Sequence, residues 1–444
     1  MFDTIIRNAR VVTSTVDEVA DVGIRDGKIA QIGSLGRDSA PFELEAAGLV
    51  LLGGVIDTQV HFREPGLEHK EDLESGTRAA LMGGVTSILE MPNTNPTTTS
   101  EEALLDKLRR AEGRAWCDYG FFVGASTENI EELARLENLP GVPGVKIFVG
   151  SSTGSLLVEK EEHLRRVLLN GKKPCPVHAE DEQRNRERKA LLSESPHPRE
   201  HPFLRDEESA RMATERMIRL AEETGRPLHV LHVTTLQEPM LIAAAKKRGS
   251  KVTAEVTPQH LWFSAPECYE RLDTLAQMNP PIRTREHTEA LWRALHEGVF
   301  DVFGSDHAPH TLEEKAQPYP SSPSGMPGVQ TMLPVLLTFV AQGRLSLQTL
   351  SRMACETPAR LYNMIGKGGI QEGNDADMVL VDLAKSYTFE RSMVESKSGW
   401  SPYEGENLTG SIEHVFLRGN HVVNSGSLVP PPQGSMLKFG NSLT

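Results

Sequence analysis

The chain has 444 residues, four cysteines and a formal net charge of −14. The acidic excess disfavours nucleic acid or an anionic membrane as the main partner. The cysteines are scattered, without a Cys-x-x-Cys pair, and no segment has the apolar length of a membrane span. We therefore expect a cytoplasmic protein without disulfides, export signal or thiolate zinc site.

Short strand-like runs lie near both chain ends. They cover residues 4–12, 22–24, 28–32, 49–52, 376–381 and 412–423, the last with a turn at 418–420. Neither end is long enough to form a stable domain alone. We therefore predict that residues 1–52 and 368–444 pair into one small β-sandwich, with the end of the chain as a surface tail.

Eight short apolar runs fill the region between these ends. They are 55–62, 87–93, 119–125, 145–150, 174–179, 227–234, 251–258 and 300–305. Stretches with helical periodicity separate them, among them 101–110, 159–169, 209–223 and 239–247. A strand followed by a helix, repeated eight times, is typical of a barrel. We predict an α/β fold, a TIM-type (β/α)8 barrel over residues 53–367.

Polar side chains stand where several of these runs end, which is where barrel enzymes carry their catalytic groups. They are His61, Asn93, Lys146, His178, His232 and Asp306. Residues 313–328 follow the eighth run and contain four prolines and two glycines. A loop there would overhang the barrel mouth, so we predict a substrate lid.

These residue types are suited to holding metal ions. Gln59 and His61 are two apart on one strand and face the barrel interior together, so they can share one ion. A buried Lys146 is costly as an ammonium, and as a carbamate it could bridge two ions. His178 and His232 could complete a second site, and Asp306 could contact a metal and accept a proton from water.

Structural explanations exist for the same residues. A single barrel histidine is more often a packing residue than a ligand. Lys146 could be a core lysine paired with Asp306 or Glu180. Asn93 and Asn279 could cap turns, and Arg63 could be a surface or salt-bridging residue beside Glu64.

Six motifs in order resemble those of the dihydroorotases of the amidohydrolase superfamily, and the resemblance spans essentially the whole chain. They are Asp57-Thr-Gln-Val-His-Phe-Arg-Glu-Pro-Gly66, Met91-Pro-Asn-Thr94, Val177-His-Ala-Glu-Asp181, Leu231-His-Val-Thr234, Met278-Asn-Pro-Pro-Ile-Arg283 and Ser305-Asp-His-Ala-Pro-His310.

The resemblance implies a reversible, metal-dependent ring closure. N-carbamoyl-L-aspartate would give L-dihydroorotate plus water, a step of pyrimidine biosynthesis, with Asp306 as the proton carrier. It further implies that Arg63, Asn93 and His310 contact the substrate carboxylate and that Asn279 holds the ring amide. Allantoinases resemble this pattern but tend to carry Asn in place of Arg63, and hydantoinases lack the Phe-Arg-Glu-Pro-Gly signature.

Gln59 departs from the family pattern, which has His there. An amide oxygen is a weaker zinc ligand than imidazole. We therefore expect one or two Zn²⁺ per chain, the site of carbamylated Lys146, His178 and His232 being occupied strongly and the site of His61 weakly.

The departure at Gln59 also leaves two other functions open. One is an inactive homologue that serves as a scaffold for aspartate transcarbamoylase. The other is an allantoinase-like or hydantoinase-like cyclic amidohydrolase. Lys146, His178, His232 and Asp306 are all retained, which favours an active enzyme. We expect a small-molecule substrate and a homodimer.

Overall fold

The computed structural model describes residues 1–151 and 156–440. The N-terminal part forms five strands: β1 (Thr4–Val12), β2 (Asp17–Arg25), β3 (Lys28–Gly33), β4 (Phe42–Glu45) and β5 (Val50–Gly53). The last four residues of the predicted tail lie outside the described residues.

A barrel follows. Its strands are β6 (Val55–Val60), β7 (Val85–Glu90), β8 (Asp118–Phe121), β9 (Val123–Gly124), β10 (Val145–Phe148), β11 (Cys175–His178), β12 (Leu228–Val230), β13 (Val252–Val256) and β14 (Val302–Phe303). Each strand pairs in parallel with the next, and β8 and β9 are two pieces of the third barrel strand. The barrel closes between its first and last strands, where Val60 pairs with His307.

Helices surround the barrel and cover its ends. They are α1 (Leu73–Met82), α2 (Glu101–Ala111), α3 (Leu133–Leu136), α4 (Glu161–Leu169), α5 (Glu182–Lys189), α6 (His201–Leu204), α7 (Glu207–Thr224), α8 (Glu238–Lys247), α9 (Pro258–Trp262), α10 (Glu267–Leu272), α11 (Arg285–His296), α12 (Leu312–Lys315), α13 (Met332–Ala341), α14 (Leu347–Ser351) and α15 (Thr357–Leu361). None of the helices in the described ranges is long and apolar enough to cross a membrane.

The chain then returns to the first sheet. Its last strands are β15 (Met378–Thr388), β16 (Asn407–Leu417), β17 (Asn420–Asn424) and β18 (Ser427–Leu428). Leu380 of β15 lies opposite Leu51 of β5, which joins both chain ends in one nine-stranded mixed sheet. Buried side chains from both ends share an apolar core. The predicted (β/α)8 barrel with a small sandwich from both ends is therefore confirmed.

Secondary structure matches the sequence pattern closely in the barrel and less closely outside it. The strand β4 is absent from the predictions because Phe42-Glu-Leu-Glu45 is short and largely exposed. β15 extends seven residues beyond the predicted run, to Thr388. The predicted turn after β16 is confirmed, with Arg418 and Gly419 both at positive φ. The domain limits at 52/53 and 367/368 remain predictions.

Candidate active site

One cavity at the C-terminal mouth of the barrel collects five of the predicted site residues. It is lined by His61, Arg63, Asn93, Asn279, Asp306, Ala308, Ser324 and Gly325. They come from distant parts of the chain, between His61 and Gly325. They meet because the C-terminal ends of parallel barrel strands surround one opening. Ser324 and Gly325 belong to the predicted lid, so that segment does border the cavity.

His61 and Asp306 form the first pair of possible metal ligands. The Nε2 atom of His61 lies 3.3 Å from Oδ1 of Asp306, and Nδ1 of His61 lies 2.6 Å from Oδ1 of Asn93. An amide oxygen can only accept, so Nδ1 carries the proton and Nε2 presents its lone pair. Gln59 completes this group, because its Nε2 donates to Oδ1 of Asp306 over 2.9 Å.

His178 and His232 form the second pair. Nδ1 of His178 lies 3.1 Å from Nε2 of His232. On the other side of the ring, Nε2 of His178 lies 2.9 Å from Oε2 of Glu180. Although burial acts in the opposite direction, Arg205 and His178 keep the pKa of Glu180 low. A charged Glu180 can accept a hydrogen bond from the Nε2–H of His178, which leaves the lone pair of Nδ1 facing His232.

Lys146 lies fully buried on β10, and its charge acts on His61, His178 and His232. Its ammonium forms no ion pair or hydrogen bond with any residue in the described ranges. Its Nζ lies 4.5 Å from the centroid of the Phe148 ring. Burial lowers the pKa of Lys146 to about 7, so a substantial fraction is the neutral amine near neutral pH. The alternative that pairs Lys146 with Asp306 or Glu180 is not supported.

The donor atoms fit divalent metal ions. Two ligands about 2.0–2.1 Å from one tetrahedral zinc ion lie about 3.3 Å apart, close to the separations within both pairs. Nζ of Lys146, Nδ1 of His232 and Oε1 of Gln59 are buried without hydrogen-bond partners. No three His, Cys, Asp or Glu side chains cluster as a ready metal site in the described parts of the chain, so each pair would take a further ligand, for which Lys146 and Gln59 are the candidates.

Asp306 is prepared to exchange a proton near neutral pH. Burial, reinforced by the charge of Glu255, raises its pKa to about 7. The backbone holds it in place, because the N–H groups of Gln59 and Ser305 both donate to Oδ1 of Asp57. Asp57 thereby ties the end of β6 to the end of β14.

Three predicted site residues have left-handed backbone conformations. The φ angles are 66° at Arg63, 33° at His232 and 44° at Asp306. Such conformations cost about 1–3 kcal/mol in a residue with a side chain and concentrate at functional sites. Glu255 supports one of them, since its Oε1 accepts the N–H of His232 at 3.3 Å.

Arg63 brings a buried positive charge to the cavity. Its side chain is 1 % exposed, Nε donates to the carbonyl of Pro309 over 3.1 Å, and it has no ion pair within 4 Å among the described residues. Burial lowers its pKa to about 10, so the guanidinium stays charged. The proposed interaction with Glu64 is absent, because that carboxylate accepts from Arg114.

His310 lies behind Arg63 and does not line the cavity. Its Nε2 is 3.4 Å from Nη2 of Arg63 and 3.1 Å from the carbonyl of Ser324. Nδ1 lies 3.1 Å from Nζ of Lys70. The structure thus brings His310 against Arg63, and its direct contact with a substrate carboxylate remains a prediction.

Asn279 is oriented by His201, a residue outside the predicted site set. Nε2 of His201 lies 2.9 Å from Oδ1 of Asn279, and Nδ1 lies 3.3 Å from the hydroxyl of Tyr319 in the predicted lid. When Nε2 donates to the amide oxygen, the NH₂ group of Asn279 is left to donate into the cavity. His201 therefore connects α6, the lid and the site.

Glu180 and Arg205 are further contributors that sequence reasoning missed. Nε of Arg205 donates to Oε1 of Glu180 over 3.1 Å. Glu180 follows His178 by two residues, and that spacing was the one available signal. Arg205 and His201 lie in the long excursion between β11 and β12, where no periodicity indicates which side chains turn inward.

The sequence and structure match known proteins over nearly their whole length. The model of the amidohydrolase family matches residues 50–422. A dihydroorotase from Methanothermobacter thermautotrophicus is 33% identical, covering 97% of this chain and 96% of that protein. An allantoinase from Rubrobacter xylanophilus is 36% identical, covering 98% of each. The L-hydantoinase (dihydropyrimidinase) structure from Arthrobacter aurescens has a TM-score of 0.94 at 30% identity, covering 99% of this chain and 100% of that one.

Proposed function

The chain belongs to the amidohydrolase family and is a cyclic amide hydrolase. We propose that it acts on the substrates of a dihydroorotase. It would interconvert N-carbamoyl-L-aspartate and L-dihydroorotate plus water, a step of pyrimidine biosynthesis. The relatives include enzymes named for different cyclic amides, so the substrate has to be argued from the site.

The buried charge of Arg63 carries this proposal. A guanidinium that lines the cavity without a carboxylate partner among the described residues is expensive to bury unless a ligand supplies the opposite charge. Dihydroorotate carries a carboxylate, whereas allantoin and hydantoin do not. A planar guanidinium can bind that group through two parallel hydrogen bonds. Asn93 and Asn279 line the same cavity and would orient the rest of the ring.

The protein's own residues account for the proton transfers. In the hydrolytic direction, water adds to the ring amide carbon and the carbon–nitrogen bond breaks. Asp306, with a pKa of about 7, takes a proton from the water and returns it to the departing ring nitrogen. His201 holds Asn279 so that its NH₂ group donates to the substrate, and the lid residues Ser324 and Gly325 exclude solvent.

Zinc is the metal we propose for the two pairs of possible metal ligands. His61, Asp306 and the amide oxygen of Gln59 would hold one ion, and His178 with His232 would hold the other. Lys146 would react as the neutral amine with carbon dioxide, releasing a proton and forming a carbamate whose oxygens serve both. When bound, zinc supplies Lewis acidity: it makes a water molecule more acidic and withdraws electron density from the amide carbonyl.

Allantoinase activity is the second candidate, favoured by the 36% identical relative. Allantoin offers no carboxylate to pair with the buried guanidinium of Arg63. An inactive scaffold for aspartate transcarbamoylase is less favoured, because the donor pairs and the buried, unpartnered Lys146 are costly features for a protein without a ligand. Homodimerisation, that association and a cytoplasmic location remain predictions.

A direct assay separates these functions. The purified protein, prepared with zinc and bicarbonate, would be supplied with L-dihydroorotate, allantoin and hydantoin in parallel, with and without a chelator. We expect chelator-sensitive turnover of dihydroorotate, far above that of the two neutral rings. Preferred turnover of allantoin would favour the second candidate, and inactivity on all three would favour the scaffold.

A further inference from the structure

A second cavity lies at the opposite end of the barrel from the candidate active site. It has a volume of about 530 Å³, within the range of about 300–1,000 Å³ for small-molecule pockets. The residues at the starts of β11, β12 and β13 form one side, and α15 with residues 362–363 forms the other. We call it the basal cavity. Leu228 in its wall is four residues before His232, a distance of about 13 Å along a strand.

The basal cavity is positively charged in an acidic protein. It is lined by four cationic side chains, those of Lys172, Lys173, Lys251 and Arg360. The chain as a whole has a net charge of −14. Among the described residues, Lys172, Lys251 and Arg360 form no ion pair within 4 Å. The carboxylate in the lining, Asp301, is already paired with Lys246.

The cations surround a largely apolar wall. Pro143, Pro174, Pro227 and Leu361 contribute to it. Lys173 is 7 % exposed, and its Nζ donates to the carbonyl of Val142 over 2.7 Å. Its charge is therefore fixed beside the prolines.

The fold places Lys173 and Lys251 on opposite sides of β12. β12 lies between β11 and β13, and neighbouring strands are about 4.8 Å apart. Lys173 precedes β11 by two residues and Lys251 precedes β13 by one, so their backbones are about 10 Å apart across the cavity wall. The lysines have an alternative explanation, because α4 and α8 end shortly before them in sequence and helix dipoles favour lysines near C-terminal ends. That explanation does not account for a cavity of this size.

We propose that the basal cavity binds a phosphorylated planar heterocycle of the nucleoside 5′-monophosphate class. The ring would pack against the prolines and Leu361, and the phosphate would lie among the lysines and Arg360. Several unpaired cations around one opening favour a multiply charged group over a single carboxylate. This site is separate from the active cavity, and the proposal does not depend on the substrate of the enzyme.

Calorimetric titration of the full-length protein tests the proposal. The probes are the four common nucleoside 5′-monophosphates, the corresponding nucleosides and inorganic phosphate. The test variant is Lys251→Ala with Arg360→Ala, two exposed positions whose replacement leaves the core intact. The matched control is Lys189→Ala, an exposed lysine on α5 with no ion pair among the described residues. Arg63→Ala serves as the background that disables anion binding in the active cavity.

We expect at least one monophosphate to bind with one-to-one stoichiometry and to bind at least tenfold more weakly to the double variant. Affinity should be unchanged in Lys189→Ala and in Arg63→Ala. The proposal is overturned if no monophosphate binds at about 1 mM, if the double variant binds as well as the wild type, or if Arg63→Ala abolishes binding. Equal affinity for inorganic phosphate and the nucleotides would reject the heterocycle and leave a simple anion site.

Discussion

The amide nitrogen of Gln59 donates a hydrogen bond to Oδ1 of Asp306 over 2.9 Å. The same oxygen lies 3.3 Å from Nε2 of His61. Gln59 therefore contacts Asp306, which is both the proposed proton carrier and a member of the first pair of possible metal ligands, while its own oxygen has no hydrogen-bond partner. An amide at this position can orient Asp306, but it offers a cation a weaker ligand than imidazole would.

Replacing Gln59 by His should strengthen the first metal site. We expect Gln59→His to raise the zinc content from about one ion per chain towards two after dialysis against a weak chelator. Elemental analysis of the two proteins gives the answer. Two tightly held ions already present in the wild-type protein would contradict this account, as would a content that the substitution leaves unchanged.

Replacing Lys146 should remove the proposed carbamate link between the two pairs of metal ligands. We expect Lys146→Met to lose nearly all activity and most bound zinc, because it cannot form a carbamate. Lys146→Glu supplies a carboxylate directly and should retain more zinc than Lys146→Met. Intact-protein mass spectrometry should detect the carbon dioxide adduct in the wild type alone. Normal zinc content in Lys146→Met would show that the lysine is only a core residue.

Replacing Glu180 should weaken zinc binding without touching a donor atom. Glu180→Gln cannot hold the Nε2 proton of His178 as a carboxylate does, so we expect a loss of about 10–100-fold in zinc affinity. Competition with a chromophoric chelator measures this affinity apart from turnover. Glu187→Gln, on the exposed side of α5, is the control and should bind zinc as the wild type does. Equal affinities in both variants would remove Glu180 from the site.

His201 should make stability depend on pH. Burial lowers its pKa to about 4 from the ordinary 6.5, so between these values the unfolded state binds more protons than the folded state. Stability is then fully present above about pH 6.5 and falls as the pH drops towards 4, by up to about 3 kcal/mol. His201→Gln should lose less stability over this window. Chemical denaturation at several pH values measures both slopes, and parallel curves would contradict the prediction.

The barrel is predictable because its strands are buried on both faces and so appear as continuous apolar runs. The polar residues near the ends of those runs lie at the barrel mouth. The sequence alone was therefore enough to select His61, Lys146, His178, His232 and Asp306. The exposed strand β4 carries no such signal.

Other contributors could not be found because their positions depend on the path of a long loop. His201 contacts Asn279 and Tyr319, which are 78 and 118 residues away in sequence. Arg205 meets Glu180 from the same excursion. Loop contacts of this kind are fixed by tertiary packing rather than by periodicity. His310 lies behind Arg63, and its contact with a substrate carboxylate stays a prediction.

The preference of the enzyme for a ring that carries a carboxylate tests the central claim most directly. The measurement is kcat/KM for L-dihydroorotate and for allantoin, in the wild type, Arg63→Lys and Arg63→Ala. We predict that the wild type prefers dihydroorotate and that Arg63→Ala lowers kcat/KM for it by about a hundredfold or more, equivalent to about 2.7 kcal/mol. Arg63→Lys should fall between the two. An Arg63→Ala enzyme as active on dihydroorotate as the wild type, or a wild type that turns over only allantoin, would contradict the account.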